Sequence, residues 1–274
     1  MIFSCRKSTE THSEYGKELN LWIPEKSQEK LDQFIARGLE QQLLTKEEKE
    51  YVPAGMVVHS DTIPIELRLK GDLTDHIANE KVSYRIKLPD TLQFYGSSTF
   101  SIQHPKTREY VNELFMHRVL QHEGLIATTF EFCRVTINGE YKGAYAFEGH
   151  FDDAILKAYD QLPGPILKFD ESNYWSWKND PQFQVPMFDH ARILPFGKSS
   201  ILKNKERMMQ FRMAANLLEY YRNYHPDLSQ VFDLDKTARY WALMDFGNVK
   251  HARLYRNHRY YYNPITTKME MIGF

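Results

Sequence analysis

Apolar and polar side chains alternate strictly through residues 82–88: Val82, Tyr84, Ile86 and Leu88 fall on one side of an extended chain, Ser83, Arg85 and Lys87 on the other. Two further strands are expected before it, near 56–60 and 63–70, and a polar insert carrying Lys70, Asp72, Asp75, His76 and Lys81 separates the second of these from 82–88. Helical spacing appears earlier, from Ser27, with Leu31, Phe34, Ile35 and Leu39 on one face. Thr45 and Glu48 have capping-box spacing, with room only for a short turn before Pro53. The strongest helix signal runs from Pro105 to Gly124, with Val111, Leu114, Phe115 and Val119 as its apolar stripe and Gly124 as its stop. A hairpin follows, FEFCRVTI and EYKGAYAFE joined by Asn138-Gly139. Ile166–Phe169 reads as a short strand and residues 172–200 as a long irregular insert rich in Trp, Pro and Asn. Helices near 203–223 and 235–247 precede a last hairpin, RYYYNPITTKMEMI, turning at Asn263-Pro264. Residues 1–16 read as frayed or extended.

This order is α+β rather than a βαβ repeat. It resembles the two-lobed plan of protein kinases: a mixed-sheet lobe with one inserted helix, over about 17–165, then a more helical lobe, over about 166–274, within a single domain. An apolar content of 42% and a charged content of 26% fit a globular chain with a sizeable core. The formal net charge of -1 supplies no field favouring nucleic acid, and the basic residues are dispersed among acids. No apolar run has the length of a membrane helix, and the first residues lack the apolar core of a signal peptide. Cys5 and Cys133 are far apart and support neither a disulfide framework nor a cysteine metal site.

The candidate chemistry starts at Arg85 and Lys87. Two cations about 7 Å apart on one strand face repel unless an anion such as a phosphate lies between them or acidic partners surround them. A solvated outer sheet face explains the same pattern. Glycine-rich phosphate loops, zinc-protease helices and nucleophile elbows are absent. Asp245-Phe246-Gly247 spells the magnesium-holding tripeptide of protein kinases, but it closes a helical segment, and the spelling is taken as coincidence.

Six stretches together carry a more specific signal: LKGDLTDH (69–76), KVSYRIKL (81–88), FSIQHPKTREYVNELFMHRVLQHEGL (100–125), VTINGEYKGAYAFEGHFD (135–152), ILKFDE (166–171) and HARLYRNHRYYYNP (251–264). They resemble the spore-coat-H (CotH-like) atypical kinase family of bacteria across nearly the whole chain. The resemblance implies a protein-kinase-like fold, ATP with Mg2+ or Mn2+ as cofactors, and phosphate transfer to a Ser or Thr hydroxyl of a protein partner. It makes Lys87, with Arg85 beside it, the contact to the nucleotide phosphates. Glu113 becomes either the helix glutamate that pairs with Lys87 or a solvated charge. Glu148 either meets the adenine, pairs with a cation, or merely ends a strand. Lys168 and Asp170 would face the same cleft. Lys70 and Asp72, with Asp75 and His76, resemble a motif covering the phosphates, although the turn chemistry of Gly71-Asp72 accounts for them equally and a metal site is a further option. Asn257 resembles a metal-holding asparagine.

The resemblance also has departures. Many members carry an aspartate near His251, where this chain has Lys250, so His251 or Asp245 is left as the catalytic base, or transfer is impaired and the chain is a pseudoenzyme. The family's next position after Phe274 is a metal-binding aspartate, so the chain is expected to be a truncated product or fragment. Members are often found in the spore coat or at the cell surface. The alternative function is accordingly a surface or coat-assembly binding protein, with Tyr174, Trp175 and Trp177 as a contact patch.

Overall fold

In a computed structural model, residues 17–177, 187–224 and 227–274 are described. The expected extended start with Cys5, the middle of the 172–200 insert and the side chain of Trp177 lie outside the described residues.

The first seven strands are β1 (Lys17–Trp22), β2 (Val52–Val58), β3 (Asp61–Leu69), β4 (Tyr84–Lys87), β5 (Thr99–Gln103), β6 (Phe130–Ile137) and β7 (Glu140–Gly149), and they close a barrel in the order β1-β2-β3-β4-β5-β7-β6. Closure depends on β1, which pairs antiparallel with β2 (Leu21 opposite Met56) and parallel with β6 (Leu19 opposite Val135). Alternation sets the faces: Leu19 and Leu21 of β1, Leu67 and Leu69 of β3, and Tyr84 and Ile86 of β4 are buried, whereas Lys87 is exposed. Helix α1 (Glu25–Gln41) follows β1 and buries Leu31 and Phe34, and its Ser27 hydroxyl donates to the Pro53 carbonyl at 2.7 Å. Asn138 and Gly139 adopt φ of 50° and 80°, the left-handed turn that matches the twist of β6 and β7. The Asn138 side chain accepts from the Ile23 amide at 2.7 Å and donates to the Ile23 carbonyl at 3.0 Å.

By backbone contacts the chain forms two compact units that interleave in sequence. The first takes residues through Pro89 together with 101–107 and 131–147. The second takes 90–100, 108–130 and 148–274. It holds helices α2 (Val111–His122), α3 (Asp153–Ala158), α4 (Ser172–Trp177), α5 (Lys198–Lys203), α6 (Lys205–Tyr224) and α7 (Leu234–Phe246). It also holds strands β8 (Ile166–Phe169), β9 (Ile193–Pro195), β10 (Tyr260–Asn263) and β11 (Lys268–Met271), in a sheet ordered β11-β10-β8-β9. Leu120 of α2, Leu218 of α6 and Tyr240 and Met244 of α7 pack in one core with Leu167, Phe169, Tyr260 and Met269 of that sheet.

The two-lobed plan expected from the element order is therefore corrected. The sheet does not stay open with one helix inserted, because β1 bridges β2 and β6 and closes it. The second half is the more helical one, as expected, but its helices are accompanied by a four-stranded sheet of their own. The expected 105–124 helix is also broken, with a 3-10 turn over Pro105–Arg108 and left-handed residues at Glu109 and Tyr110 (φ 51° and 58°) ahead of α2. Its stripe is rotated from the expected one. Val111 and Phe115 are 63% and 58% exposed, and the buried side chains are Glu113, Met116, His117 and Leu120. Among the described residues no helix is long and apolar enough to cross a membrane.

Candidate functional site

In the barrel unit, β4 turns Arg85 and Lys87 to the same side, and the β3–β4 register sets Glu66 opposite Lys87 and Arg68 opposite Arg85. The Lys87 ammonium lies 3.0 Å from the Glu66 carboxylate, both side chains being about half exposed. Lys70, at the end of β3, is buried and donates to Gln103 Oε1 at 3.1 Å. Asp72 forms an ion pair with Lys49, and its carbonyl accepts from the Leu44 amide at 2.9 Å. The loop between these strands turns at Gly71, where φ is 99° and a Cβ would meet His76 Cδ2 at 2.1 Å, so only glycine fits. His76 Nδ1 shares a hydrogen bond with Ser83 Oγ at 3.0 Å, while the Ser83 amide donates to the His76 carbonyl at 2.8 Å. Asp75 is exposed. The insert is thus a small, internally bonded turn held on β3 and β4.

In the second unit, a buried polar cluster forms around α2. One helical turn separates Glu113 from His117, which brings His117 Nε2 to 3.3 Å from Glu113 Oε1. His117 Nδ1 donates to the Thr128 carbonyl at 2.8 Å, and its ring stacks on Phe130 with centroids 5.2 Å apart. Both ring nitrogens of His117 therefore face oxygen acceptors. Burial pushes the Glu113 carboxyl up, but the hydrogen bond with His117 and the positive charge of Arg108, with smaller electrostatic contributions from His117 and His251, outweigh it and pull Glu113 down to about 2.

Two guanidinium groups border this cluster. Arg108 Nη2 lies 3.0 Å from Glu148 Oε2, both side chains being largely withdrawn from water, and its Cζ stands 4.7 Å from the centre of the Phe274 ring. Arg259 is buried among aromatic rings, 4.8 Å from Phe274 and 5.4 Å from Phe151. It donates Nη1 to the carbonyls of Arg256 and His258 at 2.7 and 2.9 Å. Burial lowers its pKa to about 10, with the charges of Glu171 and Glu148 acting against that fall.

His251 Nε2 donates to the Phe274 carbonyl at 2.9 Å. Burial lowers the His251 pKa, opposed by the Glu113 carboxylate and aided by Arg108. Asn257 Nδ2 donates to the His251 carbonyl at 2.8 Å, so Asn257 shapes the same turn. Glu113, Glu148, His251 and Asn257 thus belong to one connected set in this unit. Asp245 does not join it, being exposed and paired with Arg253 at 2.8 Å. Lys168 pairs with Glu171 at 3.3 Å, and Asp170 is held by Arg192 and Ser172. Among the described residues no group of three or more His, Cys, Asp or Glu side chains is arranged to hold a metal ion.

A family model described as CotH kinase protein matches residues 67–273. The chain belongs to the CotH kinase family. A search of curated proteins gives no match. The matched span begins within β3 and takes in every residue proposed from the sequence, ending one residue before Phe274, while β1, α1 and β2 precede it. Sequence reasoning missed Arg108, His117, Arg259 and Phe274. The one legible signal among them was the four-residue spacing of Glu113 and His117, hidden because both lie on a face whose apolar neighbours made the other side look buried.

Proposed function

We propose that this CotH kinase binds ATP with Mg2+ or Mn2+ and transfers the terminal phosphoryl group to a Ser or Thr hydroxyl of a protein. The family match over 67–273 carries the reading. Lys87 and Arg85 neutralise phosphate oxygens, which is the main demand of phosphoryl transfer. An ion pair as exposed as Lys87–Glu66 contributes at most about 1 kcal/mol, so the ammonium can exchange its carboxylate for a phosphate at little cost. Lys70 and Asp72 fix the loop that the phosphates approach, and Lys168 adds positive charge. Glu148 acts through Arg108, and Glu113 through His117 and His251.

The absence of an all-carboxylate cage among the described residues does not conflict with magnesium, which uses one or two protein oxygens, substrate phosphates and water. Asn257 Oδ1 is such a hard oxygen, and the ion would supply charge neutralisation on the phosphates. The protein's own acid–base group is His251. With Nε2–H donated to Phe274 and burial favouring the neutral ring, Nδ1 carries the lone pair. Nδ1 takes the proton of the acceptor hydroxyl as its oxygen bonds to the terminal phosphorus and ADP leaves. Lys250, standing where many members have aspartate, and the outward pairing of Asp245 with Arg253 favour a second reading, nucleotide binding without transfer, as in a pseudokinase or a surface-assembly protein.

Calorimetric titration of MnATP and MgATP into the chain and into Lys87→Ala tests the first step. Saturable binding that weakens at least about tenfold in the variant is expected, as for a lost charge-assisted contact. No binding by the unmodified chain refutes the reading. Binding without phosphate incorporation into any protein acceptor, measured with labelled ATP, selects the second reading.

A further inference from the structure

The barrel unit contains a pocket of about 330 Å3 that the kinase reading does not use. One wall comes from α1, which contributes Gln28, Asp32 and Ile35, and α1 lies before the residues matched by the family. The other walls come from the start of β4, with Glu80 and Tyr84, and from the β6–β7 hairpin, with Glu140, Lys142 and Tyr145.

Three features of this pocket converge on one ligand chemistry. The lining holds three carboxylates, Asp32, Glu80 and Glu140, against the single ammonium of Lys142. That ammonium is already paired with Glu140 at 2.6 Å, so Asp32 and Glu80 are left to set the potential. Tyr84 and Tyr145 are only 5% and 1% exposed, and among the described residues neither hydroxyl is seen to form a hydrogen bond. Both residues line the pocket and neither hydroxyl is a sealed, unpartnered atom, so their oxygens open onto the pocket as acceptors for an entering donor. Asp32 and Glu80 line the same pocket, and their charges add to the upward push of burial on the Tyr84 and Tyr145 phenols respectively. Finally, Val82 and Ile137 give the lining an apolar side fitted to methylene groups.

We infer that this pocket binds a primary alkylammonium ion, its nitrogen donating to the Tyr84 and Tyr145 hydroxyls and to Asp32 and Glu80, its methylenes lying along Val82 and Ile137. Tyrosine faces also attract such ions, and Lys81 of the chain already stands 5.7 Å over the Tyr145 ring. The ion is supplied either by a free polyamine or by a lysine side chain. The site is separate from the nucleotide reading and stands without it.

Calorimetric titration of the full chain with spermidine and, separately, with N-acetyl-lysine methylamide distinguishes the two sources, and MgCl2 at matched ionic strength controls for unspecific charge. Saturable binding of one or both amines is expected, undisturbed by MgCl2. It should weaken at least about tenfold in Glu80→Gln with Asp32→Asn, both exposed positions, and also in Tyr84→Phe, which keeps the ring in place, since each change removes a bond to a charged donor. Absence of saturable binding by either amine, equal displacement by MgCl2, or unchanged binding in Tyr84→Phe would each overturn the assignment.

Discussion

Replacing Glu148 by alanine removes the carboxylate that faces Arg108 at 3.0 Å, between side chains only 3% and 14% exposed. The guanidinium left behind cannot move into water without leaving the Phe274 ring, and the ring's attraction for it is worth only about 1–2 kcal/mol. Breaking a buried pair from one side costs about 3–5 kcal/mol. The chain contains its own control. Glu66 and Lys87 are also 3.0 Å apart, but 53% and 54% exposed, and Glu66→Ala should cost less than about 1 kcal/mol. Bond length and charge are matched, so the difference isolates burial. Urea unfolding of the two variants reads the effect as a shift in midpoint at constant slope. In thermal unfolding, at about 2–4 °C per kcal/mol for a chain of this order of size, Glu148→Ala should lower the transition by about 6–20 °C and Glu66→Ala by less than about 4 °C. Equal, small losses in both variants would refute the argument, because they would mean that Arg108 and Glu148 are as well hydrated as the surface pair.

Glu113 sets an acid limit on stability. Its folded pKa of about 2 lies below its ordinary 4.5, so its contribution is fully present above pH 4.5 and disappears as pH falls towards 2. That gap corresponds to a contribution on the order of 3 kcal/mol. Glu113→Gln should therefore be less stable than the unmodified chain at pH 6 and nearly equal to it near pH 2, and a pH-independent loss in urea unfolding would exclude the linkage. The rotated stripe of α2 makes a packing prediction. Phe115→Ser should change stability by less than about 0.5 kcal/mol, whereas Leu120→Ala, at a site 1% exposed, should cost about 2–5 kcal/mol. The reverse order in thermal unfolding would restore the stripe expected from sequence.

Elements with local chemistry were readable from the sequence. The Asn138-Gly139 hairpin, the strand Ile166–Phe169, the two helices now bounded at Lys205–Tyr224 and Leu234–Phe246, and the last hairpin at Asn263-Pro264 each carry their own turn or periodicity. Barrel closure was not readable, because it depends on Lys17–Leu21 meeting Cys133–Ile137, a pairing for which neither segment carries a local mark. The helix stripe failed for a different reason. Val111 and Phe115 sit at helical spacing but face outward, and the unit instead buries Glu113 and His117, whose partners Arg108 and Thr128 lie outside the helix. Among candidate residues, Glu113 was legible as a helix glutamate, but its binding to His117 was not. Arg259 offered no signal, since an arginine ahead of a tyrosine-rich strand reads as surface charge until the rings of Phe151 and Phe274 are folded around it.

The parallel pairing of β1 with β6 also orders events in time. Lys17 emerges from the ribosome 116 residues before its partner Cys133. At about 5–20 residues per second, the first strand waits on the order of ten seconds for its neighbour. During that interval β1 can pair with β2, but its other edge is open, a row of unpaired amides and carbonyls able to accept any extended chain. Synthesis of this protein therefore passes through a half-built sheet whose protection depends on how soon residue 137 appears, and a translational pause between β2 and β6 would lengthen the exposure.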